Sequence, residues 1–64
     1  MLIKEYEGHK PNLHPTVRVA ENATIVGKAT LAEDVNVWYS AVIRADGAEI
    51  VIGARTNIQD AAVL

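Results

Sequence analysis

The chain has 64 residues and no cysteine, so it is at most one small domain, and neither a disulfide nor a thiolate metal site can stabilise it. Its formal charge of −2 at pH 7 argues against a nucleic-acid-binding surface. Its content of 50% hydrophobic residues argues against intrinsic disorder. No apolar run approaches the roughly 20 residues of a membrane span, and the first residues do not form a secretion signal. We therefore expect a cytoplasmic protein that binds neither nucleic acid nor a membrane.

Residues 1–18 show no internal repeat and are predicted to form an N-terminal leader or cap. Within them, Leu2, Ile3 and Tyr6 are expected to form a leading strand that covers the open end of the repeats that follow. Two prolines then indicate an extended link, because the residue before a proline is restricted to extended conformations. The segment 19–64 is predicted to be a separate unit.

Residues 19–64 repeat every six positions, with an aliphatic anchor at the same place in each repeat. The series loses its spacing near Asp46-Gly47 and resumes three residues late. A second series of small or β-branched residues follows the anchors by four positions. Because six is a multiple of two and not of 3.6, the anchors lie on one face of strands and would scatter around a helix. The anchors are Val19, Ile25, Leu31, Val37, Ile43, Ile52, Ile58 and Leu64.

A six-residue unit supplies one short strand and one corner, so three units close a triangular coil, and stacked coils form a parallel β-helix. The alternative is an antiparallel meander with coincidental spacing, but the chain has only one Asp-Gly hairpin signal. We predict an all-β fold, a left-handed parallel β-helix of about two and a half coils. The last anchor, Leu64, has nothing to cover it, so we expect the helix to be incomplete at the C-terminus and residues 19–64 to be the N-terminal part of a longer domain.

Two polar clusters stand out, Arg44-Ala45-Asp46 and Asn57-Ile58-Gln59-Asp60, and they lie within the longer segments WYSAVIRAD (38–46) and IGARTNIQD (52–60). These segments resemble the γ-class carbonic anhydrases. The Arg-x-Asp followed by Thr-Asn-Ile-Gln-Asp is more specific than the hexapeptide pattern, which many acyltransferases share. The resemblance covers residues 19–64 and implies a left-handed β-helix that assembles as a homotrimer.

The resemblance implies roles for five residues. Arg44 and Asp46 would form an ion pair at the subunit interface, near a metal site. Gln59 would hydrogen-bond the metal-bound water or hydroxide, and Asn57 would help to orient carbon dioxide or bicarbonate. Asp60 would hold its neighbours in place, a supporting role that commonly tunes metal sites.

Without the resemblance, the same residues have simpler interpretations. Arg44 and Asp46 would be a solvated ion pair worth less than about 1 kcal/mol. Asn57 would serve a corner, because asparagine tolerates left-handed backbone, and Gln59 would be an ordinary surface residue. Arg44, Gln59 and Trp38 each follow an anchor by one position and should point away from the core. Trp38 would either face a trimer interface, where aromatic residues are enriched, or be a lone exposed aromatic residue. Periodicity alone does not place Arg44 and Gln59 on one face.

The resemblance also implies a divalent metal, zinc, iron or cobalt, held between subunits by three histidines. The first of these would follow directly after Leu64, so we expect the metal ligands outside this chain and none within it. His9 and His14 are the only histidines present, and two leader residues do not supply the three or four convergent ligands of a metal site. Ala45 stands where the family usually has glycine, a change that costs about 1 kcal/mol only if this position needs a positive φ.

Three functions are consistent with the sequence. The favoured one is a γ-carbonic anhydrase-like lyase that reversibly hydrates carbon dioxide when the protein is complete and trimeric. The first alternative is a hexapeptide-repeat acyltransferase that uses coenzyme A and a catalytic histidine between subunits. The second is a non-catalytic β-helical assembly module, in which Arg44 and Asp46 only join subunits. The 64 residues alone are expected to be neither catalytic nor metal-binding.

Overall fold

The computed structural model describes all 64 residues as seven β-strands without a helix. Every pairing between these strands is parallel, which confirms the predicted all-β class and excludes the antiparallel meander. No helix long and apolar enough to cross a membrane is present. The strands are β1 (Leu2–Lys4), β2 (Asn12–Leu13), β3 (Arg18–Val19), β4 (Thr24–Leu31), β5 (Asn36–Val37), β6 (Val42–Ile52) and β7 (Asn57–Ile58).

Successive coils of the chain stack on one another with an offset of 18 residues. Asn12 pairs with Thr30, and Arg18 pairs with Asn36, in each case 18 positions later. Three hexapeptides therefore complete one turn, which passes over three faces. The first face holds β1 and the N-terminal halves of β4 and β6, the second holds β2 and their C-terminal halves, and the third holds β3, β5 and β7.

The predicted interruption of the repeat lies at one corner of the last coil. Gly27 pairs with Ala45, 18 residues later, whereas Ala29 pairs with Ile50, 21 residues later. Three extra residues therefore enter β6 within 46–49, and β5 pairs with β7 at the longer offset. Because the insertion is confined to a corner, the inward positions on either side keep their alignment.

Most members of both predicted series lie in, or pack against, a single aliphatic core. Ile25 and Ile43 are paired across the first face and are completely buried, and burial of such a side chain stabilises the fold by about 1.5–3 kcal/mol. No polar side chain is buried. Leu64 remains 48% exposed because no further coil lies over it. The core consists of Ala23, Ile25, Ala29, Leu31, Val35, Val37, Ala41, Ile43, Ala45, Ile52 and Ile58.

The leader contributes paired strands to the helix. Within it, β1 and β2 pair with β4, and Ile3 and Leu13 pack against the core. Tyr6 differs from the expectation, because it lies outside β1 and forms an antiparallel bridge with His9. The cause is a local reversal, since Glu7 and Gly8 have φ values of 49° and 80°. The division of the chain at residue 18 stays a prediction.

Two of the three corners are closed by side chains from the preceding coil. Asn22 Oδ1 accepts the backbone N–H of Ser40 at 2.8 Å, and Asn22 Nδ2 donates to Ser40 Oγ at 2.9 Å. At the next corner, Thr16 Oγ1 accepts the backbone N–H of Asp34 at 2.8 Å. Ser40 and Asp34 both have positive φ, of 60° and 57°, which costs a non-glycine residue roughly 1–2 kcal/mol. These hydrogen bonds offset that cost.

The third corner depends on Gly27, which has a φ of 81°. A Cβ at this position would overlap the backbone carbonyl of Ala45 in the next coil. The glycine therefore permits both the turn and the close approach of two coils.

Gly27→Ala should destabilise the fold by about 2–3 kcal/mol, because it adds a strained φ and a clash with backbone that cannot yield. Urea unfolding followed by circular dichroism measures this change. Gly47→Ala is the matched control, because a Cβ there meets nothing within 4 Å and the φ of Gly47 is not positive. Equal losses for the two variants would contradict this account of the corner.

Candidate functional site

Arg44 and Asp46 form an ion pair on the outside of β6. Arg44 donates to Asp46 Oδ2 through Nε at 3.1 Å and through a terminal guanidinium nitrogen at 2.7 Å. The two side chains are 62% and 28% exposed, so Arg44 points away from the core as predicted. Ala45 between them is buried and does not have a positive φ, so alanine is tolerated at this position without backbone strain.

Each member of this pair stabilises the charged form of the other. Hydrogen bonding to Asp46 raises the pKa of Arg44, and the coulombic attraction of the carboxylate adds to this effect. The hydrogen bonds from Arg44 lower the pKa of Asp46, although partial desolvation of the carboxyl opposes the change. Asp46 therefore remains an anion, and Arg44 a cation, over the whole physiological range.

Gln59 and Asp60 lie at the end of β7, where the chain turns from the third face to the first. Both residues are exposed, as predicted for Gln59. The hydrogen bonds of this turn are made by backbone atoms: the Gln59 carbonyl accepts the N–H of Ala62 at 3.1 Å, and the Tyr39 carbonyl accepts that of Ala61 at 2.9 Å. The carboxamide of Gln59 is consequently available to a ligand.

Asn57 is the first residue of β7 and is also exposed. Its Oδ1 accepts a hydrogen bond of 3.1 Å from Asn36 Nδ2, one coil earlier. The residue with left-handed backbone at the adjacent corner is Arg55, with φ of 61°, so Asn57 does not serve the corner. Its side chain instead belongs to a stack of outward residues on the third face.

The candidate residues of one chain lie on two different faces. Arg44 and Asp46 belong to β6, in the sheet with β4, whereas Asn57 and Gln59 belong to the strand and turn of the other sheet. The turn at Asp60 joins the two sheets, since Val63 beyond it bridges to Val42. The chain thus presents an ion pair on one face and two carboxamides on the next.

The residues present do not by themselves fit a metal site. No group of three or more histidine, aspartate or glutamate side chains is arranged to hold an ion. His14 Nδ1 accepts the backbone N–H of Thr16 at 3.2 Å and lies 2.9 Å from Thr16 Oγ1. A histidine ligand normally donates its second ring N–H to an acceptor, so this arrangement has the wrong polarity for ligation.

Sequence reasoning missed Asn36, which lies on the third face beside a surface groove of about 370 Å³. Trp38, 42% exposed, and Arg18 also line this groove. The repeat itself indicates that Asn36 and Asn57 are equivalent, because Asn36 precedes the anchor Val37 just as Asn57 precedes the anchor Ile58. Aligning the coils by their anchors therefore places the two asparagines next to each other.

Relatives of the chain are found among curated proteins and solved structures, although no protein-family model matches it. The Bacillus subtilis protein YtoA, described as an uncharacterized transferase, is 48% identical over 98% of this chain and 37% of its own length. A carbonic anhydrase from Geobacillus kaustophilus is 38% identical over 98% of this chain and 35% of its own length. The crystal structure of a hexapeptide transferase family protein from Anaplasma phagocytophilum superimposes with a TM-score of 0.95 at 35% identity, covering 97% of this chain and 37% of that one.

The chain belongs to the hexapeptide-repeat β-helix family that includes the γ-class carbonic anhydrases. The structural match also confirms the left-handed coil predicted from the six-residue period. The chain spans little more than a third of the length of the first two curated relatives, at 37% and 35%. Relatives in this family carry the names of both transferases and anhydrases, so membership establishes the fold and leaves the reaction to be argued from the site.

Arg44→Gln should raise the pKa of Asp46 toward its usual value, because the hydrogen bonds that lower it are lost. Since the folded-state pKa of Asp46 is depressed, the pair stabilises the fold above the ordinary aspartate pKa, and this contribution is lost as the pH falls through the lowered value. NMR titration of the Asp46 carboxyl carbon measures the first effect, and urea unfolding at neutral and at strongly acidic pH measures the second.

Arg55→Gln is the matched control. It removes the same positive charge at the corner before β7, and it should leave the Asp46 titration unchanged. If Asp46 titrates identically with and without Arg44, the ion pair does not exist in solution.

Proposed function

We propose that this chain is part of a γ-carbonic anhydrase-like enzyme that interconverts carbon dioxide and bicarbonate. The observation that carries the proposal is the set of outward polar groups on two adjoining faces, the Arg44–Asp46 pair on one and Asn57 and Gln59 on the other. Relatives named carbonic anhydrase match over nearly the whole chain or three quarters of it, which supports this reading.

In this proposal the carboxamides handle water and substrate. Gln59 hydrogen-bonds the water or hydroxide that attacks carbon dioxide, and Asn57 orients carbon dioxide or bicarbonate. An amide suits both tasks because it offers a donor and an acceptor without adding a charge that would compete for the substrate. Asp60 supports the turn on which Gln59 lies.

The divalent metal implied by the family, zinc, iron or cobalt, would take its histidine ligands from outside these 64 residues. The strand pairing supports a location beside the ion pair. The Arg44 N–H donates to the Leu64 carbonyl at 3.1 Å, so a strand continued past Leu64 would place its next residue opposite Arg44. That is the position at which the family resemblance expects a histidine.

The separation of the polar groups on two faces favours assembly as a homotrimer. In such an assembly, the first face of one subunit meets the third face of another, and the ion pair approaches the carboxamides across the interface. Trp38, exposed on the third face, would be covered there, as aromatic residues at interfaces commonly are. The cytoplasmic location stays a prediction of the sequence.

The acyltransferase alternative has less support from the coils. Such an enzyme would use a histidine between subunits, and both histidines of the chain lie in the leader. The ring nitrogen Nδ1 of His14 is already engaged by Thr16. Neither residue is placed as a general base on the faces that carry the polar clusters.

Gln59→Ala and Asn57→Ala should each lower kcat/KM for carbon dioxide hydration by about 10- to 100-fold, the loss typical of residues that support a metal centre. Stopped-flow hydration assays on the metal-loaded complete protein measure this. Glu33→Gln, at an exposed corner, is the control and should retain full activity. A complete protein that binds metal yet hydrates no carbon dioxide would contradict the proposal, as would full activity in both alanine variants.

A further inference from the structure

The third face carries an outward column of three residues, one from each coil. Arg18 pairs with Asn36, and Asn36 pairs with Asn57, so their side chains follow one another along the helix axis. Only the Asn36–Asn57 step is a side-chain hydrogen bond, with Asn36 Nδ2 donating to Asn57 Oδ1 at 3.1 Å. Asn36 is half-buried, whereas Asn57 is exposed. Asn36, the more buried of the two, is therefore placed to fix the orientation of the Asn57 side chain.

The hydrogen bond determines which half of the Asn57 amide is free. A carboxamide has one acceptor oxygen and one NH₂ group that point in different directions. Because Asn36 uses one lone pair of the Asn57 oxygen and neither of its N–H groups, the NH₂ group is the part of the Asn57 amide that is wholly free for a ligand. Asn57 thus acts as a hydrogen-bond donor at the surface.

The positive charge of Arg18, the first residue of this column, favours this orientation of the Asn36 and Asn57 amides over the reverse one. Arg18 is a cation on the far side of Asn36 and makes no ion pair, since the only ion pair of the chain is Arg44–Asp46. Arg18 pairs with Asn36 in the neighbouring coil, and a cation on that side favours the amide orientation in which the Asn36 oxygen is directed toward Arg18 and its NH₂ group toward Asn57. The hydrogen bond from Asn36 leaves both N–H groups of Asn57 without a partner in the chain.

We propose that Asn36 is a positioning residue that holds Asn57 as a donor, so that the site recognises an oxyanion such as bicarbonate. This inference rests on the proposed function. It adds that the substrate group in contact with Asn57 is a hydrogen-bond acceptor. A ligand group that only donates hydrogen bonds would have to share the Asn57 oxygen with Asn36, whereas an oxyanion meets two free N–H donors.

Asn36→Asp tests the orientation directly. An aspartate accepts hydrogen bonds and cannot donate them when ionised, so Asn57 must turn its NH₂ group inward and its oxygen outward. In 15N–1H spectra of the complete protein, the Asn57 side-chain NH₂ signals should shift and become protected from exchange in Asn36→Asp, while those of Asn36 are the protected pair in the unmodified protein. The reverse pattern in the unmodified protein, with the Asn57 signals protected, would overturn the inference without any assay of activity.

The functional consequence is measured on the metal-loaded complete protein. Asn36→Asp should raise the KM for bicarbonate about tenfold, the equivalent of one lost hydrogen bond to a charged group, with a much smaller change in kcat. Asn36→Ala should give a smaller rise, because Asn57 is freed rather than inverted. Asn12→Asp, on the exposed second face, adds the same charge elsewhere and should leave the KM unchanged.

The two proposals fail in different ways. If the protein hydrates carbon dioxide and depends on Asn57, but Asn36→Asp behaves like Asn12→Asp, then Asn36 does not position Asn57 and only this inference is lost. If no hydration is found at all, the proposed function fails, and the NMR result alone decides whether Asn36 sets the orientation of Asn57.

Discussion

The structure depends on the parallel pairing of residues 18 positions apart. Where it holds, this offset places an inward aliphatic side chain directly beside its counterpart in the next coil, as Ile25 lies beside Ile43. Both are completely buried, although a chain of this length buries only about 60% of its unfolded surface. The backbone hydrogen bonds and the aliphatic column therefore share one alignment. Corners, faces and polar clusters are all arranged around this single alignment.

The alignment also explains where the chain departs from strict periodicity. Additional residues are accepted at the corner near Gly27, where β6 is three residues longer than the repeat requires. The leader has a comparable feature, since Leu2 pairs with Thr24, 22 positions later, and the surplus is taken up by the reversal at Glu7 and Gly8. Both irregularities fall on the same corner, and the faces on either side remain regular. Arg44 thus lies on the regular part of β6, whereas Asp46 lies at the start of the irregular corner beside it.

The sequence predicted the features that follow from the alternation of inward and outward side chains along a strand and from the six-residue repeat of the anchors. The inward anchors, the outward direction of Arg44 and the interruption at Asp46-Gly47 are of this kind. The strands of the leader were not predictable from periodicity, because β1 and β2 are very short and are separated by a reversal that removes the six-residue spacing. Hydrogen bonds between coils, such as that from Asn36 to Asn57, depend on which residues become neighbours and emerge only once the offset is known. The resemblance to the γ-class carbonic anhydrases supplied roles for single residues, which no pattern of apolar positions contains.

The strict alternation along each strand has a consequence for how such a protein changes over time. Inward positions hold only aliphatic or small side chains, and no polar side chain is buried. Outward positions such as Arg18, Asn36 and Asn57 bear almost none of the packing energy. The side chains that carry the surface chemistry are therefore largely distinct from those that pack the interior. A lineage built on this scaffold is free to exchange one reaction for another on its outer surface while selection keeps the interior unchanged, which accords with the mixture of transferase and anhydrase names among the relatives.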